Sequence, residues 1–307
     1  MPGVPGGDAL SNPRSERVRA VRALAGRSAR LRSGTFLAEG PQAVREAVLE
    51  AARLRAGGGA DAGAALVRCV YATDDGASRH RDVIGAALAA GVPVRRCTEE
   101  VLAAMADTLT PQGLLAVCAL VSRPLPDALS PAPALVAVLS QVRDPGNAGT
   151  VLRAADAAGA GAVVLTRGSV DVHNPKCVRS TAGSLFHLGV VEDADPAAAV
   201  AALRAAGLVV LAADGGDPAA LDLDDLLDDA SAGRGPLAGP AAWVFGNEAH
   251  GLAEDERALA DAVVRVPLHG RAESLNLATA AAVCLYASAR GQRRRGAATA
   301  AAAGSSA

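Results

Sequence analysis

The stretch VLSQVRDPGNAGTVLRAADAAGAGAVVL (residues 138–165) decides the fold of the second half of the chain. It begins in an apolar segment, passes through the turn sequence DPGN (144–147), and continues as a helical pattern over 150–158 before a second apolar segment at 162–165. A strand, a helix and another strand within so few residues predict a βαβ unit with parallel strands. Asn147 stands either as a helix N-cap or as a polar group exposed at the strand end.

The same alternation continues on both sides of this unit. In the second half, further strands are predicted at 135–139, 188–191, 208–212, 242–245 and 262–266, and further helices at 175–180, 196–206, 254–260 and 275–290. This pattern predicts a mostly parallel α/β sheet whose ligands bind at the carboxyl ends of the strands. In the first half, strands at 36–38, 66–71, 92–95 and 114–121 alternate with helices at 42–55, 81–90 and 98–105, which indicates a small α/β domain.

The predicted organisation therefore has five parts, because four prolines make a linker between the two halves. These are a basic N-terminal extension (1–34), a small α/β domain (35–121), a proline-rich linker (122–134), a larger α/β domain (135–295) and a disordered tail (296–307).

The composition excludes several classes of protein. The chain has 307 residues, of which 50% are hydrophobic and 20% charged, so it can bury a substantial core and is not disordered, collagen-like or a disulfide scaffold. The net charge of −2 excludes a uniformly basic nucleic-acid binder but not a local basic patch.

Five widely spaced cysteines without a CxxC pair predict neither disulfides nor zinc, and scattered histidines predict no metal site. A polar start and the lack of about 18 uninterrupted apolar residues predict a cytoplasmic protein with no membrane partner.

Charge is distributed unevenly along the chain. Seven arginines lie between Arg14 and Arg32, where Ser15 is the expected cap of a helix with an apolar side formed by Val18, Val21 and Leu24. The run is either a solvated helix face enriched in arginine by codon bias or a binding surface for phosphates. The segment 214–229 holds seven aspartates and is expected to be a solvated loop and weak helix. Aromatic residues make up only 2% of the chain, so if it binds a nucleic acid, recognition by backbone and shape is favoured over base stacking.

Two further segments follow predicted strands and carry polar residues. WVFGNEAHGL (243–252) has Glu248 between two glycines, and VRVPLHGRAESLNLATAAAVCLYASAR (264–290) leads into a long helix opened by Ser274 or Asn276. Each segment taken alone is also explained as a turn with glycines or a capped helix. Neither GxGxxG nor GxxxxGK occurs, so a nucleotide-phosphate loop of the Rossmann or P-loop type is not supported.

Together these segments resemble the three motifs of the SpoU/TrmH family of RNA 2′-O-ribose methyltransferases. The matching residues are Asn147, Gly149 and Arg153 in the first motif, Gly246, Glu248 and Gly251 in the second, and Pro267, Gly270, Ser274, Leu275 and Asn276 in the third. NPKCVRSTAGSLF (174–186) is similar to a segment of the family, and residues 36–48 and 107–117 are similar to its ribosomal-protein-like substrate-binding domain. Ala278 departs from the serine that many members carry, so a hydroxyl role there is lost or passes to Thr279.

The resemblance implies a SPOUT fold with a mostly parallel sheet and a C-terminal trefoil knot, a homodimer, and S-adenosylmethionine as the cofactor. It also implies that residues 35–121 form an RNA substrate-binding domain and that residues 135–295 form the methyltransferase domain. The residues it implies for catalysis are Arg153, Asn147, Glu248, Ser274 and Asn276. Those it implies for cofactor binding are Ala212, Ala213, Gly246, Asn247, Gly251, Val266, Pro267, Leu268 and Leu275. The basic residues expected to contact RNA are Arg14, Arg17, Arg22, Arg32, Lys176 (the sole lysine), Arg179 and Arg271.

The function implied is 2′-O-methylation of a ribose in structured RNA, with 23S ribosomal RNA as the first choice and transfer RNA as the second. A catalytically inactive RNA-binding or ribosome-assembly factor on the same fold is the alternative from another class. Arg153 is the residue that the family analogy assigns to activating the ribose hydroxyl. Because a guanidinium stays protonated in proteins, a second role remains open, in which Arg153 binds the adjacent phosphate and orients the ribose.

Overall fold

The computed structural model describes residues 9–58, 62–217 and 219–304 and divides the chain into two compact units. In chain order the elements are α1 (Glu16–Ala23), α2 (Arg27–Ser33), β1 (Thr35–Glu39), α3 (Pro41–Gly58), α4 (Ala62–Leu66), β2 (Val67–Ala72), α5 (Asp74–Arg79), α6 (Arg81–Ala89), β3 (Val94–Arg96), α7 (Glu99–Met105), β4 (Leu114–Ala119), α8 (Leu125–Ala128), β5 (Leu135–Leu139), α9 (Pro145–Ala158), β6 (Ala162–Thr166), α10 (Pro175–Thr181), β7 (Gly189–Ala194), α11 (Pro196–Ala205), β8 (Val209–Ala213), β9 (Leu221–Asp222), α12 (Leu223–Ser231), β10 (Ala241–Phe245), α13 (Glu254–Arg257), β11 (Ala262–Arg265) and α14 (Leu277–Gly304). Two short 3-10 helices lie at Ser184–Phe186 and Pro236–Ala238.

The first unit comprises the chain up to Val121 together with Asp171–His187. Its sheet has the order β1-β4-β2-β3, in which β4 pairs antiparallel with β1 and β2, and β2 pairs parallel with β3. Apolar side chains from one face of the sheet pack with helices into a core. The sheet contributes Leu37, Tyr71 and Leu115, and α7 contributes Val101, Leu102 and Met105. The small α/β domain predicted for this half is therefore present.

The basic N-terminal segment is part of this core. Ser15 caps α1 by accepting a hydrogen bond from the Val18 N–H, as predicted, and Val18, Val21 and Leu24 are buried. The helix therefore presents its arginines to solvent because its apolar side packs inward. Residues 1–8 of the predicted extension lie outside the described residues.

The segment 171–187 packs with the first unit, although its position in the sequence predicts the methyltransferase domain. Arg30 is buried and pairs with Asp171 (Nη2 to Oδ2, 2.6 Å), and it also donates to the Leu24 and Ala25 carbonyl oxygens. Phe186 stacks on Phe36 of β1 with ring centroids 6.0 Å apart. An ion pair and an aromatic contact, neither visible as a local pattern, thus assign this segment to the first unit.

The second unit comprises residues 122–170 and 188–307, described up to 304. Its sheet has the order β7-β6-β5-β10-β8-β11-β9, and every neighbouring pair is parallel. β5 and β10 are buried along their whole length, as expected of central parallel strands covered on both faces. The carboxyl ends of β5, β8, β10 and β11 therefore meet at one edge, which agrees with the mostly parallel sheet predicted.

Two helices differ most in extent from those predicted. α9 begins at Pro145 rather than 150, because Asp144 caps it and proline is favoured in the first turn. α14 continues to Gly304, so residues 296–304 are helical where a disordered tail is expected from the sequence; alanine has the highest helix propensity of all residues. Residues 305–307 lie outside the described part of the chain. None of the described helices combines the length and apolar character needed to cross a bilayer.

Candidate active site

The first motif lies on the turn between β5 and α9. The Asp144 carboxylate accepts a hydrogen bond from the Asn147 N–H (2.8 Å), so Asp144 is the N-cap and Asn147 belongs to the first turn of α9. The N-cap alternative for Asn147 is therefore wrong, and its side chain is left available for longer-range contacts. Arg153 lies further along α9 with an exposed side chain.

The second motif forms a closed turn after β10. Asn247 and Gly251 exchange both backbone hydrogen bonds, each 2.9 Å long. A Cβ added at Gly246 would collide with the Gly251 carbonyl group, and Gly251 has a φ of +67°. Both glycines are therefore required by the geometry of the turn, which presents Glu248 at its tip.

The third motif connects β11 to α14. The Asn276 side-chain oxygen accepts hydrogen bonds from the N–H groups of Ala278 (2.9 Å) and Thr279 (3.4 Å). Of the two residues proposed to open this helix, Asn276 is thus the one whose side chain caps it. Ser274 is exposed on the preceding loop.

A chain of hydrogen bonds joins the three motifs. The Asn276 amide donates to the Asn147 side-chain oxygen (3.1 Å), and the Asn147 amide donates to Glu248 Oε1 (3.2 Å). Glu248 also accepts from the backbone N–H groups of Arg143 (3.3 Å) and Asp144 (3.1 Å). Asn147 is 101 positions from Glu248 and 129 positions from Asn276 in the sequence, and the fold brings all three into one network.

The same contacts determine the charge of Glu248. Burial alone would raise its pKa, but hydrogen bonds from its own N–H, from the Asn147 amide and from the Arg143 and Asp144 N–H groups outweigh that effect. The net result is a pKa below the ordinary value. Glu248 is therefore an anionic acceptor that holds the β5–α9 turn, rather than a general acid.

A second network, which the sequence does not indicate, supports the first. Glu256 of α13 accepts hydrogen bonds from the Ser140 hydroxyl (2.6 Å) and the Gln141 amide (3.2 Å). The Gln141 carbonyl oxygen in turn accepts from the Asn247 amide (2.7 Å). Glu256 therefore holds the loops after β5 and β10 together from the other side. No spacing or residue type in a single sequence distinguishes it from the neighbouring exposed Glu254.

A cleft of about 760 Å³ opens at the carboxyl ends of β8, β10 and β11. Eight of the nine predicted cofactor-binding residues line it: Ala213, Gly246, Asn247, Gly251, Val266, Pro267, Leu268 and Leu275. The ninth, Ala212, is fully buried within β8, one residue behind the edge. Of the predicted catalytic residues, Glu248 and Ser274 line the cleft, whereas Arg153 lies outside the group of lining residues.

The cleft also has acidic residues that the sequence does not single out. Asp214 lines it and pairs with Arg257 (3.1 Å), and Asp222 pairs with Arg265 (3.2 Å). Glu273 lines the cleft as well, with an exposed side chain. Carboxylates outnumber the arginine among the residues that line the cleft, so its electrostatic potential favours a positively charged group.

The basic residues predicted to contact RNA occupy both units. Arg14, Arg17, Arg22 and Arg32 are exposed on and beside α1 and α2. Lys176 is exposed on α10, whereas Arg179 on the same helix pairs with Asp107 (3.0 Å) and lies 3.7 Å from Glu39. Arg271 is exposed on the loop before α14. Arg179 is thus held by carboxylates of its own unit.

Both halves of the chain match known protein domains. Residues 134–286 match the SpoU rRNA Methylase family, and residues 15–116 match the MRM3-like substrate binding domain. The 23S rRNA (guanosine(2553)-2′-O)-methyltransferase RlmP of Bacillus subtilis is 32% identical over 277 residues, which cover 90% of this chain and 97% of that protein.

Solved structures share the architecture of nearly the whole chain. An AdoMet-bound rRNA methyltransferase from Sinorhizobium meliloti is 27% identical with a TM-score of 0.74, covering 92% of this chain and 97% of the other. The SpoU methyltransferase AviRb from Streptomyces viridochromogenes in complex with AdoMet is 28% identical with a TM-score of 0.70, covering 90% and 98%.

Proposed function

The chain belongs to the SpoU rRNA Methylase family, and from this premise we propose that it methylates a ribose 2′-hydroxyl of ribosomal RNA with S-adenosylmethionine as the methyl donor. The 23S molecule is favoured over transfer RNA, because the relative aligned over 97% of its length is named for methylating 23S rRNA. The observation that carries the proposal is the hydrogen-bonded chain Asn276–Asn147–Glu248, which joins three distant motifs beside one cleft.

The cleft at the carboxyl edge has the properties that S-adenosylmethionine requires. Its volume of about 760 Å³ falls within the range of roughly 300–1,000 Å³ typical of small-molecule and cofactor pockets. Gly246 and Ala213 leave room for backbone contacts with a ligand, while Val266 and Leu268 provide apolar surface for an adenine ring. The acidic character of the lining suits a ligand that carries a positively charged sulfur. When bound, S-adenosylmethionine supplies an electrophilic methyl group.

The residues of this chain would then align the acceptor. With S-adenosylmethionine bound, the ribose oxygen would form a bond to the methyl carbon as the carbon–sulfur bond broke; the electrons of that bond would stay on sulfur, and the hydroxyl proton would pass to solvent. This displacement depends above all on orientation. Arg153 is proposed to bind the phosphate beside the reacting ribose, since a guanidinium forms paired hydrogen bonds with phosphate oxygens. Asn147, Glu248 and Asn276 hold the three loops, and Ser274 contacts the bound groups.

Three further properties of the family are proposed for this chain. They are the trefoil knot formed by the C-terminal segment, a homodimer in which a second copy completes the site, and a cytoplasmic location. Arg153 lies outside the group of residues that line the cleft, which supports a site completed by another copy. Val283 and Tyr286 of α14 are 40% and 53% exposed, which supports a protein contact on that helix.

The test is transfer of a labelled methyl group from S-adenosylmethionine to ribosomal RNA isolated from cells that lack the gene, followed by mapping of the modified nucleotide. We expect one ribose to be labelled, and Arg153→Ala to lower the rate about 100-fold, the scale of a lost alignment. Arg234→Ala, at an arginine whose side chain is 70% exposed, is the control and should keep full activity. Full activity of Arg153→Ala would refute the role of Arg153, and a wild type that binds no S-adenosylmethionine in calorimetry would refute the proposal itself.

A further inference from the structure

A second cavity, of about 360 Å³, lies within the first unit and has no part in the chemistry above. The start of α3 forms one wall, the loop between α7 and β4 forms the other, and Leu114 and Leu115 form the floor. Arg179 and Ala182 close one side. The volume lies at the lower end of the range of roughly 300–1,000 Å³ for small-molecule pockets, so it fits a single ring system.

The walls of this pocket are held rigidly. Glu39, at the end of β1, accepts hydrogen bonds from the Asp107 N–H (2.9 Å), the Thr108 N–H (3.2 Å) and the Thr108 hydroxyl (3.1 Å). The Gly40 N–H donates to the Leu114 carbonyl oxygen at 3.1 Å. The loop between α7 and β4 is thereby fixed to the sheet, and a ligand meets a preformed pocket.

The charges around the pocket favour a neutral ligand. Arg179 is the cation in its lining, and the carboxylates of Asp107 (3.0 Å) and Glu39 (3.7 Å) lie against its Nη1 atom. Two carboxylates beside one guanidinium leave no excess positive charge for a phosphate or a carboxylate ligand. The pocket is therefore unsuited to the RNA backbone itself.

Its remaining polar groups suit the edge of a heterocycle. Gln112 has an exposed side-chain amide and Thr110 an exposed hydroxyl, so the rim offers both donors and acceptors. Gln42 is also exposed at the rim, where its amide nitrogen donates to Glu46 (2.9 Å). The Gln112 side-chain oxygen lies over Gly40, where a Cβ would be 3.6 Å away. Pro41 and Pro111 add flat apolar surface on the two walls. Amide groups above an apolar slot are the features with which proteins read the edge of an unstacked base.

Leu109 provides an independent observation at the same place. It lies between the rim residues Thr108 and Thr110, and its side chain is 100% exposed to solvent. An apolar side chain at the tip of a fixed loop can enter the gap between two bases when the base beside it leaves the stack.

We propose that this pocket binds one extruded nucleobase of the RNA substrate, with Gln112 reading its edge and Leu109 filling the gap that it leaves. The inference rests on the proposed function, which supplies the RNA. The scarcity of aromatic residues favours recognition of an RNA by backbone and shape alone. The proposal adds recognition of one base by amide groups and apolar contacts. It also implies that the substrate is a loop or bulge rather than a continuous duplex.

The test measures binding of the full chain to fluorescent hexanucleotides rA6, rC6, rG6 and rU6 and to a 12-base-pair RNA duplex. We expect one hexamer to bind most tightly and the duplex most weakly. Gln112→Ala should reduce the preference between hexamers up to about tenfold, the scale of one or two lost hydrogen bonds. Leu109→Ala should weaken the binding of all four hexamers without changing the order of their affinities. Leu49→Ala, at a leucine of α3 that is 49% exposed, is the matched control and should bind as the wild type does.

Three outcomes overturn the proposal. They are equal binding of the hexamers and the duplex, a preference that Gln112→Ala leaves unchanged, and a lack of binding to any of these RNAs, which would point to a peptide ligand instead. Methyl transfer measured on the same proteins separates this proposal from the previous one. If the wild type prefers one hexamer through Gln112 but transfers no methyl group, the base-pocket proposal stands and the proposed enzyme activity is refuted. If it transfers methyl groups without a preference that depends on Gln112, the enzyme activity stands and the base-pocket proposal is refuted.

Discussion

Glu39 of the first unit and Glu248 of the second fix loops by the same means, although they lie on unrelated sheets. Glu39 ends a buried strand and Glu248 follows one. Each carboxylate lines a cavity and accepts hydrogen bonds from two consecutive backbone N–H groups of a loop distant in sequence. The donors are Asp107 and Thr108 for Glu39, and Arg143 and Asp144 for Glu248. The difference between them is burial: Glu39 is 8% exposed, whereas Glu248 is exposed to solvent.

This difference separates two roles of the same arrangement. The N–H groups that Glu39 accepts from are partly buried, so water would replace a lost acceptor only in part, and the contacts of Glu39 contribute to the stability of the first unit. N–H groups deprived of an exposed acceptor can bond to water, so the contacts of Glu248 contribute mainly to the shape of the cleft. The comparison therefore predicts a loss of stability from one substitution and a loss of ligand affinity from the other.

Glu39→Ala should have the largest effect on stability. It leaves the Asp107 and Thr108 N–H groups without their acceptor. At about 1 kcal/mol for each group, the lower end of the range for unsatisfied buried groups, the two together cost about 2 kcal/mol. Hydrogen exchange followed by mass spectrometry should show faster exchange in residues 106–113. Glu100→Ala, at an exposed residue of α7, is the control and should change stability by about 0.5 kcal/mol or less. Unchanged exchange in Glu39→Ala would contradict a stabilising role for burial at this position.

Glu248→Ala should leave stability nearly unchanged, within about 1 kcal/mol, because its partners face solvent. Affinity for S-adenosylmethionine should fall about tenfold, equivalent to ~1.4 kcal/mol, because the turn from Gly246 to Gly251 loses its link to the β5–α9 turn. Calorimetric titration gives the affinity, and thermal unfolding gives the stability. Glu254→Ala serves as the control, since Glu254 is equally exposed and lies on α13. A fall in stability as large as that of Glu39→Ala would show that exposure does not separate the two roles.

The two carboxylates also differ in what the sequence reveals about them. Glu248 lies between glycines in a motif directly after an apolar strand, and the three motifs indicate a shared edge because parallel strands end together. Six of the seven strands of the second sheet were predictable within a few residues, as the continuous apolar runs of β5 and β10 illustrate. The exception is the two-residue strand β9, which lies in the acidic segment expected to be a loop and weak helix. Glu39 ends a buried strand with no such pattern around it, so its role depends on a loop 68 positions away.

Other features depended in the same way on distant partners. Arg30 belongs to a run of arginines, and only its pairing with Asp171 shows that it is buried while its neighbours are exposed. The placement of 171–187 with the first unit follows from that pair, which is 141 positions apart. Glu256 acts through Ser140 and Gln141, and no local signal marks it. Sequence periodicity thus predicts elements and their edge, whereas ion pairs and single hydrogen bonds appear only in the fold.

The smallest expected effect is the dependence of the Glu248 network on pH. Its pKa in the folded chain lies below the ordinary value of 4.5, because hydrogen bonds from Asn147 and from backbone N–H groups outweigh the effect of burial. A depressed pKa means that the contribution to stability is complete above the unfolded-state pKa and is lost as the pH falls through the lower, folded-state value. The contribution of Glu248 to the affinity for S-adenosylmethionine should therefore be complete above about pH 5 and should decline as the pH falls below 4.5. The Glu248→Gln variant cannot ionise at this position. Its affinity for S-adenosylmethionine at neutral pH should therefore be lower than that of the wild type, and it should fall less as the pH is lowered. Parallel pH profiles of the two proteins would place the origin of the decline elsewhere in the cleft, with Asp214 and Glu273 as the remaining carboxylates to test.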